Sequence, residues 1–209
     1  MTPFRANTVI AVVRFREPGD LDGVLDAVVH GGIGLLEVTL DTPGALDAVR
    51  RAATDGRTVG AGTVVTAEQV RACADAGAGF VVSPGLVLEV LEEAARLGIE
   101  AVPGVLTPTE IQQATSHGAE TVKVFPASLG GPAYLRAVRG PFPDVGIVPT
   151  GGVRIDEVAA YLSAGATAVG LGGALVGSAP PSSQADLDAI AARASRVVEI
   201  AAGGGSGRP

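Results

Sequence analysis

The chain has 209 residues, 47 % of them apolar and 3 % aromatic, and carries a net charge of −7. That length supports one sizeable core in a single domain, and the composition makes the core aliphatic and close-packed. An acidic balance with no basic cluster argues against nucleic acid and against an anionic membrane surface as partners, but leaves small anionic ligands open. The single cysteine, Cys73, excludes an internal disulfide and sits in a helical pattern as a small core residue. No stretch approaches the roughly 20 apolar residues of a spanning helix. Met1 to Val13 lacks the layout of a secretory leader, so the expected setting is the cytoplasm.

In chain order, an aliphatic strand is predicted over 9–14 and a helix over 19–30. Strand 35–40 and helix 44–54 follow, then strand 58–62 and helix 67–76, then strand 80–83 and helix 86–97. Strand 100–105 precedes a helix over 109–117, where Thr107-Pro108-Thr109-Glu110 resembles a capping box with proline in the first turn. Strand 121–125 and helix 133–138 come next, then strand 146–150, helix 155–164 and strand 168–171. A last helix covers about 185–201. Glycines punctuate the helix ends at Gly56, Gly77, Gly98, Gly118 and Gly165, spaced by about twenty-one residues in the middle of the chain. Near-continuously apolar strands alternating with helices predict a single-domain (β/α)8 TIM barrel over 1–202, with a disordered glycine-rich tail over 203–209. A doubly wound open sheet is the competing α/β architecture. It carries a glycine-rich turn after its first strand, where this chain has Arg14-Phe15-Arg16-Glu17-Pro18.

Lys123 is the sole lysine of the chain, beside fourteen arginines, and lies within the apolar run Thr121-Val122-Lys123-Val124-Phe125. A buried ammonium is costly unless it is paired or loses its proton, and a neutral lysine amine attacks carbonyl carbons to form Schiff bases. A strand-end lysine reaching to water is the plainer alternative. Strand alternation turns Glu37 and Thr39 to one face of their strand, away from Leu36, Val38 and Leu40. Lys123 and Glu37 are thus either an inward base–amine pair or a buried ion pair that sets strand register.

In a barrel the chemistry sits at the C-terminal strand ends. There strand 58–62 offers Gly60, Gly62 and the hydroxyl of Thr63. Pro84 follows strand 80–83, and Phe125 ends the lysine strand. Gly151-Gly152 and Gly172-Gly173 follow the last two strands, where backbone N–H groups commonly bind phosphate; simple turns are the alternative. Arg14, at the end of the first strand, completes this anion site or is a surface arginine. His30 and His117 read as helix-end residues, no cluster has metal-ligand spacing, and no serine-nucleophile motif occurs.

Leu36-Glu37-Val38-Thr39-Leu40, Gly60-Ala61-Gly62-Thr63-Val64, Ser83-Pro84-Gly85, Val102-Pro103-Gly104-Val105, Val122-Lys123-Val124-Phe125-Pro126-Ala127, Gly140-Pro141-Phe142 and Pro149-Thr150-Gly151-Gly152-Val153 occur in that order. The ordered set resembles the 2-keto-3-deoxy-6-phosphogluconate (KDPG) and 4-hydroxy-2-oxoglutarate (KHG) aldolase family over about residues 9–176. The resemblance implies a class I aldolase without metal or cofactor, with a small keto acid as substrate, typically a homotrimer. It implies that Lys123 is the Schiff-base lysine, Glu37 the general acid/base and Thr63 a contact to the pyruvate carboxylate. Gly151, Gly152, Gly172 and Gly173 are implied to bind phosphate, with Arg14 near the substrate. Pro84 and Phe125 complete the candidate substrate-binding set. Two positions depart from the pattern: Asp41, where many members have arginine, and Ala174, where some have serine. They leave phosphogluconate-type, phosphogalactonate-type and unphosphorylated substrates open. A phosphosugar isomerase or synthase and a non-catalytic phosphosugar-binding barrel are the competing readings.

Overall fold

The computed structural model describes residues 3–4 and 8–203. Strands and helices alternate: β1 (Thr8–Val13), α1 (Leu21–His30), β2 (Leu35–Thr39), α2 (Ala45–Thr54), β3 (Thr58–Gly62), α3 (Ala67–Asp75), β4 (Phe80–Val82) and α4 (Leu88–Leu97). Then come β5 (Glu100–Val102), β6 (Gly104–Val105), α5 (Pro108–Ser116), β7 (Thr121–Val124), α6 (Gly131–Arg139), β8 (Gly146–Pro149), α7 (Val158–Ser163), β9 (Ala168–Leu171), α8 (Gly173–Val176) and α9 (Gln184–Gly203). The expected tail begins on Gly203, which closes α9; residues 204–209 lie outside the described residues.

All strand pairs are parallel. They form a curled six-stranded sheet in the order β5-β4-β3-β2-β1-β9 and a three-stranded sheet in the order β6-β7-β8. The strand expected over 100–105 is therefore two strands. The break is at Pro103, which has no N–H to continue a ladder, though its carbonyl still accepts the Lys123 N–H at 2.9 Å. At the other junction Thr150 bridges Gly170 in parallel fashion, and the Thr167 N–H donates to the Ile147 carbonyl at 2.9 Å.

Strand alternation sorts the core into two layers. Val9, Ala11, Val13, Leu36 and Val38 join the residues packed under the helices. Ile10, Val12, Leu35, Phe80, Val82, Val102 and Val148 form a second cluster on the inner strand faces. Phe80 has room there because position 60 is glycine: a Cβ on Gly60 would lie 2.4 Å from its ring. Phe4 packs edge-on against Phe80, with ring centroids 5.1 Å apart. The inner face is thus filled with aliphatic and aromatic side chains below the polar residues that β2 and β7 bring to it.

The helix starts follow their caps. Thr66 with Gln69 and Thr107 with Glu110 both make complete capping boxes. Gly98 ends α4 at φ 69°, a conformation glycine adopts without strain. The four-residue helix α8 and the 3-10 turn Ala127–Leu129 were not expected from the sequence pattern, being too short to show a helical period.

Candidate active site

Glu37 stands on β2 opposite Val12 of β1 and Gly60 of β3, and Lys123 stands on β7 opposite Gly104 and Val148. Both face inward across the curl. Lys123 Nζ lies 3.7 Å from Glu37 Oε1, and the two side chains are only 6 % and 3 % exposed. Oε1 is buried without a hydrogen-bond partner. A buried polar atom in that state is costly, and it is placed to accept a proton or a hydrogen bond from whatever enters beside it. Position 62 must be glycine for this arrangement, since a Cβ there would come within 2.1 Å of Oε1. Lys123 Nζ also sits 5.3 Å from the Phe125 ring centroid. Gly151, at φ 90°, leaves space for that ring, which a Cβ would approach to 2.7 Å.

Arg14 follows β1 and is shared among three partners. It donates to Thr63 Oγ1 at 2.6 Å and to Thr39 Oγ1 at 3.4 Å, and its Nε is 3.5 Å from Asp41 Oδ2. Asp41 is thus the ion-pair partner of Arg14, each about half exposed. Thr39 and Thr42, both buried, link their hydroxyls at 3.1 Å beneath it. Thr63 holds φ 61°, a left-handed conformation that a β-branched residue adopts only under strain of about 1–3 kcal/mol.

These elements border a cavity of about 680 Å³ at the C-terminal strand ends. Seven expected site residues line it: Arg14, Lys123, Phe125, Gly151, Gly152, Gly172 and Gly173. Glu37 and Thr63 do not line it; they reach it through Lys123 and Arg14. Pro84 is exposed and lies outside the lining; its backbone packs on Gly104, where a Cβ would come within 2.3 Å. The lining also includes Val12, Thr150 and Arg16, which the sequence reading missed. Thr150 had a legible signal, as the last residue of the strand expected over 146–150, directly before Gly-Gly. Gly170 opposite makes way for it, since a Cβ there would lie 2.3 Å from its hydroxyl. Among the described residues no three His, Cys, Asp or Glu side chains gather as a metal-ligand set. Nor is any helix among them long and apolar enough to cross a membrane.

The profile of the KDPG and KHG aldolase family matches residues 2–193. The chain belongs to this family. Among KDPG and KHG aldolase relatives, the 2-dehydro-3-deoxy-phosphogluconate aldolase of Pseudomonas aeruginosa is 40 % identical over 162 residues, covering 76 % of this chain and 74 % of its own. The 2-dehydro-3-deoxy-6-phosphogalactonate aldolase of Escherichia coli is 34 % identical over 168 residues, covering 78 % and 82 %. A solved structure of KDPG aldolase from Legionella pneumophila, with pyruvate captured as a covalent carbinolamine, superposes with a TM-score of 0.79 at 32 % identity, covering 92 % of this chain and 95 % of that one.

Proposed function

We propose that this chain is a class I aldolase that cleaves a 2-keto-3-deoxy-6-phospho sugar acid, foremost 2-keto-3-deoxy-6-phosphogluconate, to pyruvate and glyceraldehyde 3-phosphate. The observation that carries the reading is the buried Lys123–Glu37 pair, whose carboxylate oxygen faces the amine without a hydrogen bond, beside a cavity that the amine lines.

In this reading the neutral Lys123 amine adds to the C2 ketone, forming a carbinolamine. Glu37 delivers the proton that lets water leave, giving the iminium. Loss of the C4 hydroxyl proton then breaks the C3–C4 bond, and its electron pair flows into the iminium to make an enamine. The aldehyde departs, C3 is protonated, and water hydrolyses the iminium to pyruvate and free lysine. Arg14 and Thr63 hold the pyruvate carboxylate, a role supported by their 2.6 Å contact. Gly151, Gly152, Gly172 and Gly173 offer the distal phosphate a backbone-lined wall free of side-chain bulk. Phe125 backs the lysine, and Pro84 acts on the rim through Gly104.

The scaffold in this proposal is one closed (β/α)8 barrel over residues 1–202. The Thr150–Gly170 bridge and the Pro103–Lys123 hydrogen bond at the two sheet junctions support it. The working form is a cytoplasmic homotrimer, supported by the family resemblance, and sedimentation measures the stoichiometry.

The test is incubation with pyruvate, borohydride reduction and mapping of the modified peptide. One pyruvate on Lys123 is expected; no adduct, or an adduct confined to the N-terminal amine, overturns the mechanism. Lys123→Arg should abolish cleavage while the far-ultraviolet spectrum stays unchanged. Steady-state comparison of phosphogluconate-type, phosphogalactonate-type and unphosphorylated 4-hydroxy substrates decides among the three that Asp41 and Ala174 leave open.

A further inference from the structure

Arg16 has no place in the reaction as written, yet it borders the same cavity as the two Gly-Gly loops. Three other cations line that cavity, and each is engaged. Lys123 faces Glu37. Arg14 is divided among Thr63, Thr39 and Asp41. Arg154 binds Asp156 through two nitrogens, at 3.0 and 2.7 Å, and lies 3.7 Å from Glu157. Arg16 has no hydrogen-bond or ion-pair partner among the described residues.

Its position is also held from below. Phe15 is buried at 1 % exposure, and its N–H donates to the Thr42 hydroxyl at 3.2 Å. Residues 14 and 16 therefore leave a pinned backbone on either side of a core anchor. Along the glycine loops the cavity is lined by backbone, whose N–H groups donate hydrogen bonds but carry no full charge, and by Ala174, whose methyl offers neither. A phosphate dianion there would find one guanidinium not already neutralised, and arginine is the side chain whose planar fork suits phosphate oxygens.

We propose that Arg16 binds the terminal phosphate of the substrate and sets the preference of this chain for phosphorylated over unphosphorylated keto acids. The inference rests on the aldolase reading for its substrate, but not for its phosphate contact. Glu17 also lines the cavity, and its carboxylate opposes the same phosphate. The two neighbours therefore push affinity in opposite directions.

Two measurements separate this proposal from the reaction it accompanies. In the first, calorimetry reads binding of sn-glycerol 3-phosphate and of glycerol to the intact protein, with no chemistry involved. Arg16→Ala is expected to weaken glycerol 3-phosphate on the order of ten- to a hundredfold, Arg16→Lys to recover part of that, and Glu17→Gln to tighten it. Glycerol should bind none of them measurably. In the second, the ratio of kcat/KM for the 6-phosphorylated substrate to that for 4-hydroxy-2-oxoglutarate should fall tenfold or more in Arg16→Ala, through KM. Unchanged glycerol 3-phosphate affinity in Arg16→Ala, or no binding by the unaltered chain, overturns the Arg16 assignment. Failure of pyruvate trapping on Lys123 overturns the aldolase reading and leaves the calorimetric result standing by itself.

Discussion

A Cβ on Gly62 would stand 2.1 Å from the Glu37 carboxylate oxygen, so in the proposed reaction the glycine belongs to the acid–base apparatus although it has no side chain. Gly62→Ala should push the carboxylate off its approach to Lys123. We expect kcat to fall tenfold or more, with a stability loss of about 1–3 kcal/mol in urea unfolding, as for an overpacked core site. An unchanged kcat would mean that the carboxylate position is unimportant. Asp41 raises a different question at the same scale. Its pairing with Arg14 draws positive charge away from the place proposed for the pyruvate carboxylate. Because the pair is half exposed, the effect is modest. Asp41→Asn should lower the pyruvate concentration needed for half-maximal borohydride inactivation by a factor of about 2 to 5. A rise in that concentration would instead show that Asp41 positions Arg14. Neither contact was legible in the sequence. Glu37 and Lys123 could be aimed inward by strand alternation, whereas the Arg14–Asp41 pair depends on loop conformation and the Thr63 strain on a φ angle that no residue pattern encodes.

Neighbouring elements are tied together by charges whose effect depends on pH. Glu93 on α4 accepts hydrogen bonds from Arg96 on its own helix and Arg71 on α3, which hold its carboxyl at about 2 against an ordinary 4.5. A carboxyl depressed by folding stabilises the fold fully above its unfolded value, and that contribution is lost as pH falls from about 4.5 toward about 2. Arg71→Ala should therefore have a lower urea midpoint than the unaltered protein at neutral pH, and the gap should narrow as pH falls from about 4.5 toward about 2. A gap independent of pH would assign the loss to packing of the arginine stem. The elements themselves were largely legible, because alternating apolar runs, capping threonines and helix-ending glycines are local signals. The exceptions had local causes too. Proline at 103 cut an expected strand in two, and α8 is too short to display a period. Pro84 read as a rim residue by its place in the chain; its exposure and the close approach of its backbone to Gly104 are features of the fold that chain position does not carry.

Across the whole molecule, one buried thiol serves as a reporter. Burial pushes the Cys73 thiol up to about 12, so the native protein presents almost no thiolate at neutral pH. Labelling by a thiol reagent should then require the core to open. We expect its rate to become independent of reagent concentration at high reagent and to match the unfolding rate measured by fluorescence-free methods such as circular dichroism. A labelling rate that keeps rising with reagent would mean that α3 opens locally.

The packed floor formed by Phe4, Phe80 and their aliphatic neighbours has a kinetic corollary. In the proposed reaction the three-carbon acid stays covalently attached deep in the chamber while the aldehyde lies toward solvent. Such a chamber imposes a sequence of departure: aldehyde first, pyruvate second. Run in the synthetic direction, pyruvate must load first. Pyruvate should therefore be the competitive product inhibitor and the aldehyde the noncompetitive one, and isotope exchange between free and bound pyruvate should proceed with no aldehyde present.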